Sequence, residues 1–114
     1  MHSESHLLAK SRFGHVQQAE CSCCLQIRFL RLLWRLTQKE FVAFRLCIDK
    51  LNTPEGFAIN EAEPGLVLLA LASDHQAALL DQDEVAALAD LLEQSMVELL
   101  RRQFQAIYSS PEAA

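Results

Sequence analysis

Three of the four cysteines in this 114-residue chain lie within four positions, in the segment AECSCCLQIRF at 19–29. Cys21 and Cys24 have the Cys-x-x-Cys spacing that lets two thiolates reach one tetrahedral zinc ion. A structural zinc site takes four ligands, and the chain has no second Cys-x-x-Cys or His pair at the usual spacing. The candidates to complete the ligand set are Cys23, His15, the tail histidines His2 and His6, and the same cysteines of a second subunit.

The cysteine cluster has two other interpretations. Free cysteine often serves as a small buried apolar residue, which would make Cys21 and Cys24 core residues beneath a sheet without any ligand. A redox pair is typical of a helix N-terminus, whereas the residues that follow Cys24 have an extended pattern. We favour the buried interpretation over zinc, and zinc over redox. Cys47, beside Ile48 on the first predicted helix, is also expected in the core.

No arrangement of residues typical of catalysis is visible. The sequence has no nucleophile elbow, and its three glycines are too far apart for a nucleotide-binding loop. His75 follows Asp74 in a segment that we expect to be a solvated turn. The sequence therefore predicts a protein that is not an enzyme.

A nucleic-acid interface is considered around the single tryptophan. Trp34 with Arg28, Arg31 and Arg35 would combine a stacking ring with phosphate contacts. The net charge of −5 opposes such a role, because phosphate neutralisation supplies most of the affinity for nucleic acid. We therefore expect Trp34 in the core and the arginines on the opposite face, with no nucleic-acid partner.

Charge is distributed unevenly along the chain. Residues 1–50 contain eight basic and four acidic residues, a balance of +4, whereas residues 51–114 contain two and eleven, a balance of −9. In a single small domain, such asymmetry usually means that the halves face each other or a symmetry mate. The length fits one domain over 1–114 with flexible ends, and the absence of a signal peptide or a long apolar run predicts a cytoplasmic protein without a membrane partner.

Two capping boxes predict where helices begin. Thr37 with Glu40, and Asp81 with Glu84, each place a cap residue three positions before a glutamate. Apolar residues then recur at helical spacing, up to about residue 51 in the first case and about residue 108 in the second.

Residues 25–36 allow two interpretations. Leu25, Ile27 and Phe29 alternate with polar residues as in a strand, but a continuous helix from Leu25 through Leu51 also suits these residue types. We favour strands, because a capping box at Thr37 would be wasted inside a helix.

The two halves of the chain have similar patterns. LVLLALA at 66–72 predicts a buried strand and QAALL at 76–80 a short strand, both ahead of the second helix. At an offset of 44 residues, seven apolar positions of the two halves agree. The predicted fold is α+β, with two pseudo-repeated antiparallel meander-plus-helix units at about 13–51 and 57–95 in a single domain.

A longer pattern surrounds the cysteines. A glycine-containing hairpin leads into Cys-x-x-Cys, and an alternating strand, a Leu-rich strand and Thr-x-x-Glu-Phe at a helix start follow. The residues that carry this pattern are Gly14, Cys21, Cys24, Ile27, Phe29, Leu36, Thr37, Glu40, Phe41 and Phe44. It resembles a family of short uncharacterised bacterial proteins, a domain of unknown function, in which Gly-Asn stands where this chain has Leu30 and Arg31. The resemblance implies strands before the helix and implies no activity.

The last helix carries the remaining functional signal. The apolar positions of this helix continue to Ile107, well beyond the length of the first helix. The additional apolar residues, which have no counterpart in the first helix, are Leu99, Leu100, Phe104 and Ile107. Either this surface is covered by a second copy or a partner protein, or the helix crosses both sheets and is internal. We expect a non-enzymatic interaction or assembly protein that forms a homodimer, with a zinc-stabilised adaptor using Cys21 and Cys24 as the alternative.

Overall fold

The computed structural model describes residues 6–19, 24–71 and 76–109 and shows an α+β fold, as predicted. A four-stranded antiparallel sheet comes first, with its strands in chain order: β1 (Leu7–Ser11), β2 (Gly14–Gln18), β3 (Cys24–Phe29) and β4 (Leu32–Thr37). Two helices follow, α1 (Gln38–Leu51) and α2 (Pro54–Ile59). A three-stranded antiparallel sheet and a long helix complete the chain: β5 (Glu61–Glu63), β6 (Leu66–Leu71), β7 (Gln76–Leu80) and α3 (Gln82–Ser109).

The segment before the first helix forms two strands, as favoured from the sequence, and not one long helix. Side chains at alternate positions of β3 and β4 point into the core, because a strand presents successive residues to opposite faces. The hairpin between them has only two loop residues, Leu30 and Arg31. Leu30 adopts a φ of 56°, a conformation that a branched side chain rarely takes, and its amide donates to the Phe13 carbonyl at 2.9 Å.

Both predicted capping boxes are present. The Thr37 hydroxyl accepts from the Glu40 amide at 3.2 Å, and the Glu40 carboxylate accepts from the Thr37 amide at 2.9 Å. Asp81 and Glu84 make the same reciprocal pair at 2.8 and 2.9 Å. These bonds satisfy amides that have no partner within the helix, and they fix the starts of α1 and α3.

The second half differs from the predicted meander. Pro54 begins the short helix α2 because Thr53 caps it, accepting from the Gly56 amide at 3.0 Å, and proline suits the first helical position. The offset of 44 residues does align the starts of α1 and α3. However, the first half opens with two strands, and the second opens with α2 and the three-residue β5. The pseudo-repeat stays a prediction.

The core lies between the sheets and the two longer helices. α1 contacts β3 and β4, whereas α3 contacts β1, β2 and β7 as well as α1. Trp34 of β4 is fully buried and packs edge-on against Phe44 of α1, with ring centroids 5.2 Å apart. The described chain is elongated, 56 × 27 × 25 Å, and its radius of gyration of 15.6 Å exceeds the roughly 13 Å expected of a compact chain of this length.

Candidate functional site

The structure separates two of the proposed zinc ligands. Cys24 begins β3 opposite Thr37, whereas His15 of β2 lies opposite Arg28, four residues further along β3. At about 3.3 Å per residue, this spacing puts the two backbones roughly 13 Å apart along the hairpin. Cys21 and Cys23 lie outside the described residues, as does His2, so the knuckle itself stays a prediction. Within 6–19, 24–71 and 76–109, no three His, Cys, Asp or Glu side chains are grouped as metal ligands.

The prediction for Cys47 is wrong. Its side chain is exposed on α1, beside the buried Ile48, because the apolar side of this helix is narrower than the sequence pattern indicates. It lines a shallow surface cavity of about 330 Å³, and Asn60 and Leu68 line the same cavity. Asp74 and His75, which the sequence places in a solvated turn, lie outside the described part of the chain.

Arg28 and Arg35 lie on the outer face of the four-stranded sheet, as expected, whereas Arg31 lies in the turn between β3 and β4. Arg28 and Arg35 are exposed, whereas Trp34 between them in the register points into the core. Lys10, His15 and Arg28 form one cross-strand row on that outer face. Because the tryptophan ring is covered, this face has cations without the stacking surface that a single-stranded nucleic acid would need.

The charged halves of the chain are not joined by ion pairs among the described residues. The ion pairs found there lie within helices: Arg45 with Asp49, and Glu98 with both Arg101 and Arg102. In the described part of the chain, the basic and acidic halves are therefore not held together by ion pairs.

Exposed apolar residues on α3 form the first candidate surface, here called the helix stripe. Its four residues are Val97 (60% exposed), Leu100 (55%), Phe104 (60%) and Ile107 (63%). One side of α3 is buried as far as Leu99, and every residue from Gln103 to Ile107 is exposed. The internal interpretation therefore applies only to the part of α3 up to Leu99, and coverage of the helix stripe by a second copy or a partner stays a prediction.

A polar anchor fixes the second half of α3 to the edge of the sheet. The Arg102 guanidinium donates to the Leu7 carbonyl of β1 at 2.7 Å, to Gln18 of β2 at 3.3 Å and to the Glu98 carboxylate at 2.7 Å. Hydrogen bonds from Arg101 and Arg102 lower the pKa of Glu98 to about 2. The helix stripe is therefore held in a defined orientation relative to β1.

The outer side of the three-stranded sheet is the second candidate surface, here called the sheet face. Its residues pair across β6 and β7, and they are Leu68 opposite Leu79 and Ala70 opposite Ala77. Leu68 and Leu79 are 56% and 40% exposed, and both alanines are exposed as well. The sequence predicted LVLLALA as a buried strand and so missed this surface. The sequence did contain one indication of it. One face of an antiparallel strand normally meets water, and LVLLALA has no polar residue to place on that face, so its exposed face must be apolar.

A cleft adjoins the sheet face where the two sheets meet. It has a volume of about 420 Å³, and its lining residues are Leu30, Arg31, Leu32, Ala77 and Ala78. The strained turn residue Leu30 is 39% exposed at its rim. The sheet face therefore continues into an apolar depression beside the β3–β4 turn.

Comparison of the chain with known protein families, curated proteins and solved structures finds no match. The resemblance to a family of uncharacterised bacterial proteins accordingly stays a prediction. None of the helices in the described part of the chain combines the length and the apolar character needed to cross a membrane.

Proposed function

We propose that this chain is a non-enzymatic assembly protein that acts as a homodimer through the second half of α3. The observation that carries the proposal is the helix stripe, four large apolar side chains at helical spacing that are each more than half exposed. Contiguous apolar surface of this kind is uncommon on monomers and marks interaction sites. A cyclic dimer is the commonest way for one surface to be covered by copies of the same chain.

Sedimentation equilibrium of the full chain between 1 and 100 µM, as an order-of-magnitude range for weak to moderate dimers, tests the proposal. We expect twice the 12.8 kDa chain mass at the upper end of this range. Leu100→Lys should weaken association at least tenfold, because it places a charge within the helix stripe. Leu46→Lys is the matched control, since Leu46 lies on α1 with a similar exposure of 52%. A wild-type chain that stays monomeric throughout would rule out the proposal.

The proposal assigns no role to the cysteine cluster, which provides a second test. Replacing Cys21 and Cys24 together by serine should leave the melting temperature and the association unchanged. Loss of the folded state, together with zinc in the wild-type protein by elemental analysis, would instead support the zinc-stabilised adaptor.

A further inference from the structure

The helix stripe and the sheet face lie towards opposite ends of the described chain. α3 starts directly after β7 of the three-stranded sheet, and Arg102 in its second half donates to the Leu7 carbonyl of β1. Its 28 residues span about 42 Å at 1.5 Å per residue, most of the 56 Å long dimension. Two such molecules side by side in antiparallel orientation bring the helix end of each one to the sheet end of the other.

From this arrangement we infer that the helix stripe of one copy packs on the sheet face of a second copy, and that the contact is reciprocal about a two-fold axis. The inference rests on the proposed function and specifies the surface that covers the helix stripe. Phe104 and Ile107, in the exposed last turns, are the side chains that reach the cleft beside Leu30.

The area of the two surfaces supports a reciprocal contact. At these exposures, each surface offers roughly 400 Å² of apolar area, with Leu30 counted in the sheet face. Helix stripes paired only with each other would bury about half of the roughly 800 Å² per partner found in a standard interface. Both surfaces together reach that size, so a reciprocal dimer accounts for both.

The backbone at the cleft is a separate observation that points to the same surface. Leu30 keeps a φ of 56° in a two-residue turn, where glycine or asparagine would be unstrained. A bulky side chain in this region costs about 1–3 kcal/mol, and such residues cluster at functional sites. The strain places an exposed leucine beside Ala77 and so extends the sheet face.

The chemistry of the two surfaces is also complementary. Neither contains a charged side chain, and the sheet face has two alanines between its leucines, which leaves room for the large side chains of a helix. Arg31 at the rim of the cleft, and Arg101 and Gln103 on the two sides of the helix stripe, provide the polar border typical of an interface.

A mixing experiment tests the reciprocal contact. Leu79→Glu and Leu100→Lys are each expected to weaken self-association at least tenfold. An equimolar mixture should recover a dimer, because the mixed dimer keeps one wild-type contact and places opposite charges in the other. Sedimentation velocity on the two variants and their mixture gives the readout, with Leu46→Lys as the control and Trp34 fluorescence confirming that each variant is folded.

The outcomes separate this inference from the proposed function. A Leu79→Glu chain that still dimerises, while Leu100→Lys does not, would overturn the helix-to-sheet contact and leave the homodimer intact. A wild-type chain that never dimerises would remove both.

Cross-linking gives a second measurement that does not place a charge on either surface. In chains whose four native cysteines are replaced by serine, Ala77→Cys and Ile107→Cys are introduced separately and the two chains are co-expressed with different tags. A short bismaleimide should link the two different chains. Products joining two Ile107→Cys chains, with none between the different chains, would show helix-to-helix packing and contradict the inference.

Discussion

At the scale of the residue, Leu30 and Glu98 both depart from the ordinary, the first in its backbone conformation and the second in its ionisation. Leu30 has a left-handed backbone conformation, and Glu98 has a pKa of about 2. Leu30 lies at the rim of the cleft and Glu98 within the anchor of the helix stripe, so both effects concern the proposed interface.

Leu30→Gly should stabilise the isolated chain by about 1 kcal/mol, because glycine adopts a positive φ without the steric cost that leucine has. Urea unfolding followed by Trp34 fluorescence measures this in the Leu100→Lys background, where association does not contribute. Arg31→Gly is the matched control. Arg31 is the other loop residue and its φ is not positive, so glycine there should destabilise by about 0.5–1 kcal/mol. Equal effects at both positions would contradict strain at Leu30.

Glu98→Gln should destabilise the chain by about 1 kcal/mol at neutral pH, because it removes the charge that Arg101 and Arg102 bind. The folded-state pKa of about 2 lies below the ordinary value of 4.5. The stabilisation is therefore complete above about pH 4.5 and is lost as the pH falls from there towards 2. The difference in unfolding free energy between wild type and Glu98→Gln should shrink over that window. Glu93→Gln, at an exposed position of the same helix, is the matched control for the loss of one carboxylate.

At the scale of the element, α3 has two parts that different interactions stabilise. Its first half is held by the capping box at Asp81 and by burial beneath the sheets. Its second half is held by the contacts of Arg102 with β1 and β2. This division predicts that a change at the helix start affects folding more than assembly.

Asp81→Ala should cost about 1 kcal/mol of stability, because the carboxylate accepts from the Glu84 amide at 2.8 Å and that amide has no other partner within the helix. Asp83→Ala, also in the first turn, should cost a few tenths of a kcal/mol through the helix dipole alone. Thermal and urea unfolding give both values. A dimer dissociation constant that changes as much as the stability does would argue against the division of α3.

At the scale of the whole molecule, two different interactions could drive assembly: burial of apolar surface, or attraction between oppositely charged surfaces. The apolar surfaces predict association by burial of nonpolar area. The uneven charge of the chain, +4 over residues 1–50 and −9 over 51–114, predicts attraction between the basic sheet of one copy and the acidic half of another.

These alternatives differ in their dependence on salt. For the apolar contact, the dissociation constant should change by less than about threefold between roughly 50 and 500 mM NaCl, because no charged side chain belongs to either surface. A charge-driven contact should weaken by tenfold or more over the same range, since exposed pairs are screened. Sedimentation equilibrium at the two salt concentrations distinguishes them.

Much of the fold was predictable from short segments of sequence. The starts of α1 and α3, the strands β3 and β4 and the burial of Trp34 follow from capping hydrogen bonds and alternating side chains. These interactions join residues a few positions apart, so their pattern is visible without knowledge of the rest of the chain.

The tertiary structure alone decided which side of the apolar strand β6 is covered and where α3 leaves the core. Every residue of LVLLALA is apolar, so the sequence cannot distinguish the face that packs on the helices from the face that meets solvent. The same holds for α3, whose apolar positions continue unchanged from Leu99 to Ile107 although burial ends at Leu99. Burial depends on where distant elements come to lie, and residue type alone does not carry that information.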